Sequence, residues 1–201
     1  MTRIAVVSAG LSVPSSTRLL ADRLTDAALE ALGEAEVDVI ELRPLAHALA
    51  DHLLTGFPSG DLAEAIETIR AADGLIVVTP VFAASYSGLF KQFFDVLEPE
   101  MLDGKPVLVA ATAGTARHSL VLEYALRPLF AYLHAVVVPT GVFAATDDFG
   151  GSGLETRIER AAGELAALVG KVDDTARRRR TVQDEFTEPT PFEELLRRSQ
   201  G

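Results

Sequence analysis

Short apolar runs alternate along the chain with longer segments in which apolar residues recur at helical spacing. The short runs are rich in Val, Ile, Leu and Ala, which is typical of strands buried on both faces of a parallel sheet. The pattern predicts strands at Ile4–Ser8, Val37–Glu41, Gly74–Thr79, Pro106–Ala111 and Ala135–Pro139. It predicts helices at Thr17–Leu32, from near Arg43 to near Leu54, and at Leu62–Ala72, Gly88–Leu97, Arg117–Leu133 and Leu154–Val169.

This alternation favours an α/β fold in which helices cover both faces of a five-stranded parallel sheet, a doubly wound three-layer sandwich. Sheets of this kind bind ligands in the crevice beyond the carboxyl ends of their strands. The loops after the first, third and fourth predicted strands are therefore the candidate ligand-binding segments: Ser8–Thr17, Thr79–Gly88 and Thr112–Ser119.

The first loop is rich in hydroxyl groups and leads directly into a predicted helix. Its candidate binding residues are Gly10, Ser12, Ser15, Ser16 and Thr17. The unpaired N–H groups and the dipole of a helix N-terminus attract anions, and hydroxyls add further donors. The loop has neither a Gly-Lys pair nor a GxGxxG pattern, so it suits one terminal phosphate, as on FMN. The alternative is an ordinary Ser or Thr cap of the helix.

The second and third loops combine small residues with apolar or basic ones. The second reads TPVFAASYSG, in which the small residues Ala83–Ser85 would let the backbone approach a flat ring. Phe82 and Tyr86 would form apolar walls, unless they pack in the core. The third loop reads TAGTARHS and places an arginine and a histidine at a helix start, where a solvated surface histidine is the alternative.

Composition narrows the classes of function. The chain of 201 residues is the size of one domain. The absence of cysteine excludes disulfides, Cys-ligated zinc, iron–sulfur clusters and thiol catalysis, and we predict no metal site. The formal net charge of −11 argues against binding to nucleic acid. No apolar run reaches the roughly 18 residues of a membrane span, so we predict no membrane segment. A strand is predicted to begin almost at Met1, which leaves no room for a signal peptide, and we therefore predict a cytoplasmic location.

The composition changes after Val169. A charged stretch with the arginine block Arg177–Arg180 leads to a short segment in which Phe192, Leu195 and Leu196 have helical spacing. We interpret residues 1–170 as the folded domain. We interpret residues 171–201 as a linker and a short tail that either docks on a partner or is disordered.

Three blocks of sequence, in order, resemble those of the NADPH-dependent FMN reductases of the flavodoxin-like superfamily. The blocks are GLSVPSSTR at Gly10–Arg18, TPVFAASYSGLFKQFFD at Thr79–Asp95 and TAGTARHSLVLEYALRP at Thr112–Pro128. The middle block resembles a TPxYxxSxPGxLKxxxD pattern and departs from it at Phe82, Ser87 and Phe90. The stretches ARHSLVLEYALRPLFAYL at Ala116–Leu133 and PTGVFAA are similar to a subgroup associated with luciferase-like flavin monooxygenases.

The resemblance implies a flavodoxin-like sheet of strand order 2-1-3-4-5, with FMN bound at its carboxyl edge. The first loop would hold the phosphate. The residues implied along the isoalloxazine ring come from the other two loops: Pro80, Val81, Phe82, Ala83, Ser85, Thr112, Ala113, Gly114 and Thr115. His118 would contact flavin N1/O2 or a phosphate of NADPH, with Arg117 as the rival for the second role. No side chain is assigned as a catalytic acid or base.

The activity that the resemblance implies is hydride transfer from NADPH to FMN, with reduced flavin supplied to a flavin monooxygenase. The alternatives are a nonenzymatic flavodoxin-type electron carrier, a quinone or azo reductase, and an interaction module without ligand. The resemblance also implies a homodimer or homotetramer. The predicted helix Gly88–Leu97 is apolar on more than one face, which fits burial against a partner, with simple core packing as the alternative.

Overall fold

A computed structural model describes residues 1–169. The strands are β1 (Thr2–Ser8), β2 (Ala35–Glu41), β3 (Gly74–Phe82), β4 (Ser85–Tyr86), β5 (Pro106–Ala113), β6 (Val136–Val137) and β7 (Val142–Ala145). The α-helices are α1 (Ser16–Leu32), α2 (Leu42–Thr55), α3 (Asp61–Ala71), α4 (Gly88–Asp95), α5 (Arg127–Tyr132) and α6 (Ser152–Val169). The predictions for residues 171–201 lie outside the described residues.

The sheet confirms the predicted α/β class and the predicted strand order. Its order is β2-β1-β3-β5-β6, and β7 also pairs with β5. All of these pairs are parallel, whereas β4 pairs with the end of β3 in the antiparallel sense. The sheet therefore has seven strands rather than the predicted five, because β4 is added and two short strands share the fifth position.

The predicted fifth strand, Ala135–Pro139, is wrong in its extent. Only Val136 and Val137 pair with β5 as β6, and the chain returns to the sheet as β7 after four intervening residues. Pro139 has no N–H to give to a sheet ladder. Side chains instead hold the intervening backbone: Arg127 donates to the carbonyl of Val138 at 2.9 Å, and the N–H of Thr140 donates to the carboxylate of Glu164 at 2.6 Å.

The predicted helix Arg117–Leu133 is also wrong, because the segment is not one continuous α-helix. It consists of a 3₁₀ turn at Ala116–His118, a π-helical turn at Leu122–Leu126, and α5. Pro128 cannot donate the hydrogen bond of a regular α-helix. The N–H of Arg127 donates to the carbonyl of Leu122, five residues back, which is the π-helical pattern.

Two apolar clusters lie on the two faces of the sheet. Alternate residues of β1 belong to opposite clusters: Ile4 and Val6 pack beneath α1 and α6, and Ala5 and Val7 pack with α2, α3, α4 and α5. This period of two is the signature of a strand covered on both faces. The three-layer arrangement follows directly from it.

The aromatic residues of α4 are part of this core. Phe90, Phe93 and Phe94 are buried, and the ring of Phe94 lies 4.8 Å from that of Phe90 and 4.9 Å from that of Phe130. Such tilted and edge-to-face contacts are favourable geometries for aromatic rings. The apolar character of α4 is therefore explained by core packing within one chain, which was the alternative to burial against a partner.

Candidate functional site

The first candidate loop joins β1 to α1 through a capped helix start. Ser15 is the N-cap, in extended conformation, and its Oγ accepts a hydrogen bond from the N–H of Arg18 at 3.3 Å. The capping alternative is thus correct for Ser15. Because Oγ only accepts in this bond, the hydroxyl hydrogen can still be donated to an anion. The first N–H groups of the helix lack helical acceptors, and no acidic residue lies in its first turn.

Gly10 lets the loop fold back onto this helix start. A Cβ at residue 10 would lie 2.2 Å from the Oγ of Ser15 and 3.4 Å from the Cβ of Thr17. The first of these distances is far inside van der Waals contact, so only glycine fits while the Ser15 cap stays in place. The result is a cradle of backbone N–H and hydroxyl groups.

The predicted phosphate ligands differ in their exposure. Ser12 and Ser16 are exposed, and Ser15 is half-buried. Thr17 is buried, and its Oγ1 lies 2.9 Å from the Oγ1 of Thr112 at the end of β5. Its hydroxyl is therefore engaged with the third loop, while its backbone N–H belongs to the first turn of α1.

The second candidate loop is a tight hairpin. Val81 pairs with Tyr86 and Phe82 with Ser85, leaving Ala83 and Ala84 at the turn with positive φ of 47° and 65°. Such turns normally use Gly, which has no Cβ, or Asn and Asp, whose short polar side chains can hydrogen-bond locally; other residues are strained at positive φ. The sequence analysis missed β4 since Ala-Ala is not a turn signal. Backbone strain of this kind clusters at functional sites.

A buried hydroxyl closes the base of this hairpin. The Oγ1 of Thr79 accepts a hydrogen bond from the N–H of Ser87 at 3.0 Å. Ser87 in turn caps α4 by accepting from the N–H of Phe90 at 3.2 Å. The ring of Tyr86 packs 5.9 Å from that of Phe90, whereas Phe82 is 47% exposed. Of the two predicted apolar walls, Tyr86 thus contacts the core, and Phe82 has a largely free face.

The three loops meet at one edge of the sheet. Ser8 of β1 pairs with Val78 of β3, and Pro80 of β3 pairs with Thr112 of β5. The segments that follow these residues therefore emerge side by side from neighbouring strands. After Thr112 the chain is half-buried at Ala113 and exposed at Gly114 and Thr115, and the same exposed segment includes Arg117 and His118.

A cleft of about 330 Å³ lies against the first loop on the side of β2, with Gly10, Ser12 and Ser15 in its lining. Four charged residues also line this cleft: Arg18, Asp22, Glu41 and Arg43. Of these, only Arg18 belongs to a segment that the sequence analysis assigned to the site. Glu41 is the last residue of β2, and Arg43 lies two residues further on, in the first turn of α2. The rule that ligands bind at carboxyl ends of strands could have identified them, because β2 neighbours β1.

Arg18 is held by two carboxylates. Its Nε lies 2.7 Å from Asp22, and Nη1 contacts Glu41. The hydrogen bond to Asp22, and then that to Glu41, raise the pKa of the Arg18 guanidinium above its ordinary value, while partial burial opposes them. The guanidinium is therefore a fixed charge whose neighbours already neutralise it. Lys91 and Asp95 likewise form an i,i+4 ion pair on α4.

None of the helices within residues 1–169 is long and apolar enough to cross a lipid bilayer.

Comparison with known proteins identifies the family. Residues 2–150 match the family described as NADPH-dependent FMN reductase. An FMN reductase (NADPH) of Pseudomonas aeruginosa is 38% identical over 176 residues, covering 84% of this chain and 92% of that protein. The NADH-dependent FMN reductase SfnF of Pseudomonas putida is 39% identical over 147 residues, covering 73% and 79%. The crystal structure of an oxidoreductase from Corynebacterium diphtheriae has 52% identity and a TM-score of 0.84, covering 86% of this chain and 99% of that one.

The fold and the family match together define an oxidoreductase of the flavodoxin-like class. More specifically, the chain belongs to the NADPH-dependent FMN reductase family. It is an NAD(P)H-dependent oxidoreductase, with FMN and NADPH as its cofactors.

Proposed function

We propose that this chain catalyses hydride transfer from NADPH to FMN, with the flavin held where the β1, β3 and β5 loops converge. The observation that supports this most directly is the cradle in which the Oγ of Ser15 occupies the space that a Cβ at Gly10 would fill. A phosphate monoester needs N–H and hydroxyl donors, and the residues of this loop supply both and include no carboxylate. The carboxylates that line the adjoining cleft, Asp22 and Glu41, are paired with Arg18. The residues present therefore fit the phosphate of FMN.

Each loop has its own role in this proposal. Gly10, Ser12, Ser15, Ser16 and the N–H of Thr17 would hold the phosphate. The residues that would line the ring are Pro80, Val81, Phe82, Ala83, Ser85, Thr112, Ala113, Gly114 and Thr115. When bound, FMN supplies the hydride-accepting chemistry for the oxidation of NADPH. The chain itself orients the reactants, and the exposed His118 and Arg117 are available to contact flavin N1/O2 or a nucleotide phosphate.

The proposal extends to partners, location and domains. Reduced flavin would pass to a flavin monooxygenase, and the chain would act as a cytoplasmic homodimer or homotetramer. Exposed apolar side chains directly after the third loop support a subunit interface there, since Leu120 is 63% and Tyr124 79% exposed. Residues 1–170 would form the reductase domain, and residues 171–201 a linker and docking tail.

The direct test is anaerobic reduction of the purified protein. With FMN bound, addition of NADPH should bleach the visible absorbance of the oxidised flavin; an unchanged spectrum with both NADPH and NADH would contradict the reductase proposal. Steady consumption of NADPH in the presence of excess free FMN distinguishes a reductase from a one-electron carrier. Comparing FMN with quinones and azo dyes as oxidants separates the remaining alternatives. The same assay on a chain ending at residue 170 tests the domain boundary, and equal activity is expected.

Ser16→Ala should weaken FMN binding without weakening the fold. The Ser16 side chain is exposed in the first turn of α1, and its proposed hydrogen bond to phosphate is charge-assisted. Losing that bond should cost about 1.5 kcal/mol, or about tenfold in Kd, in fluorescence titration with FMN. The free energy of unfolding of the apoprotein should stay within about 0.5 kcal/mol of wild type. Ser59→Ala, at an exposed serine outside the three loops, is the control and should change neither value.

A further inference from the structure

The first and third candidate loops are joined by a buried contact between two hydroxyl groups. Thr17 Oγ1 and Thr112 Oγ1 are 2.9 Å apart, and either can donate to the other. Both residues are 2% exposed, although 95 residues separate them in sequence. A hydroxyl buried at this depth needs a partner, so the two side chains depend on each other.

The positions of these residues give the contact a structural consequence. Thr17 lies in the first turn of α1, directly after the Ser15 cap. Thr112 is the penultimate residue of β5 and pairs with Pro80 of β3. The hydroxyl contact therefore fixes the spacing between the helix start that would bind phosphate and the strand ends that would carry the ring.

We infer that Thr17 and Thr112 are positioning residues, whose paired hydroxyls set the distance between the phosphate-binding and ring-binding loops for a flavin that must span both. This inference rests on the proposed function. The side chains act on each other rather than on the ligand, while the backbone of each contributes to its own loop. A site whose two halves are already spaced for the ligand binds it without the cost of ordering them.

The key variant replaces both hydroxyls by methyl groups of similar shape. In Thr17→Val or Thr112→Val alone, the remaining hydroxyl loses its partner, and each single variant should be less stable than wild type. In the double variant neither side chain is polar at this point, so the apoprotein should regain most of its stability. Two methyl groups meet at roughly 3.5–4.0 Å, however, which is longer than the oxygen contact. The two loops should therefore remain mispositioned in the double variant even though the fold has recovered.

Binding of ligand fragments measures this mispositioning. In the double variant, FMN should bind at least tenfold more weakly than in wild type. Riboflavin, which lacks the phosphate, and inorganic phosphate, which lacks the ring, should each change by less than about threefold, because neither spans both loops. The double variant Thr17→Ser/Thr112→Ser keeps both hydroxyls and should restore FMN affinity. Thr25→Val is the matched control, since it removes a hydroxyl that bonds to the carbonyl of Ala21 within the same helix.

The outcomes separate the two proposals. If wild-type protein binds no FMN, the proposed function fails, and this inference fails with it. If wild type binds FMN and the Val/Val variant binds it equally well, only the inference is overturned. If the double variant bound FMN, riboflavin and inorganic phosphate with equally reduced affinity, the inference would also be overturned, because that pattern indicates damage within each loop rather than a change in their spacing. Loss of FMN affinity alone, in a variant whose thermal midpoint has recovered, supports it.

Discussion

Gly10→Ala is expected to weaken FMN binding by about 100-fold. The new Cβ would lie 2.2 Å from the Oγ of Ser15, so either the cap or the loop must move. Displacing Ser15 removes a hydroxyl donor from the phosphate and disturbs the aligned N–H groups of the helix start. Two charge-assisted hydrogen bonds of about 1.5 kcal/mol each correspond to roughly 3 kcal/mol, which is about two powers of ten in Kd. Loss of the cap should also lower apoprotein stability by about 1 kcal/mol.

Two further variants make this test specific. Gly163→Ala places a methyl group on an exposed position of α6, where nothing but the adjoining chain of its own helix lies within 4 Å, and it should leave FMN binding unchanged. The double variant Gly10→Ala/Ser15→Gly removes the side chain that the methyl group would strike. Because glycine is an acceptable N-cap, the thermal midpoint should recover, whereas FMN affinity should stay low without the hydroxyl. Wild-type affinity in Gly10→Ala would show that this close approach has no part in binding.

Phe94→Ala should strongly destabilise the fold. The Phe94 side chain is 2% exposed, and its ring contacts those of Phe90, Phe93 and Phe130. Truncating a buried phenylalanine removes this apolar contact and leaves a cavity, at a cost of about 3–5 kcal/mol. Urea denaturation followed by circular dichroism should show that loss as a lower midpoint with a similar slope.

The matched control for this change is Phe57→Ala. Phe57 is 79% exposed, so the same truncation there should change the free energy of unfolding by no more than about 0.5 kcal/mol. A loss at Phe94 as small as that at Phe57 would mean that α4 does not contribute to the core of the single chain. The apolar side chains of α4 would then need another explanation, and burial against a partner would be the first to test.

The local sequence pattern was sufficient to predict most of the helices and strands. The helix predicted from Thr17 to Leu32 begins at Ser16 and ends at Leu32, and the first four predicted strands lie within observed ones. These elements have a clear period and end at recognisable caps or loops. The predictions failed where residues distant in sequence, or a proline, change the backbone of an element. Nothing local indicates that Arg127 and Glu164 hold the backbone beside Pro139, or that the helix before Pro128 takes a π-helical turn.

The candidate site was predictable to the level of its loops. The rule that ligands bind beyond the carboxyl ends of parallel strands selected three segments that the sheet does bring side by side. The roles of individual side chains were harder to predict from the sequence. Ser15 is both the helix cap and a candidate ligand, and Arg18, the last residue of the first block, already forms ion pairs with Asp22 and Glu41.

The order of apolar runs, helical spacings and hydroxyl-rich loops by itself determined the α/β class and the sheet edge that carries the candidate site, whereas the strand order was implied by the family resemblance. Only the tertiary structure decided that Thr17 meets Thr112, that Gly10 lies against Ser15, and that the fifth strand position is divided between β6 and β7. The physical reason is the range of the interactions. Periodicity and capping depend on neighbours within a few residues, whereas these contacts depend on how distant segments pack against each other.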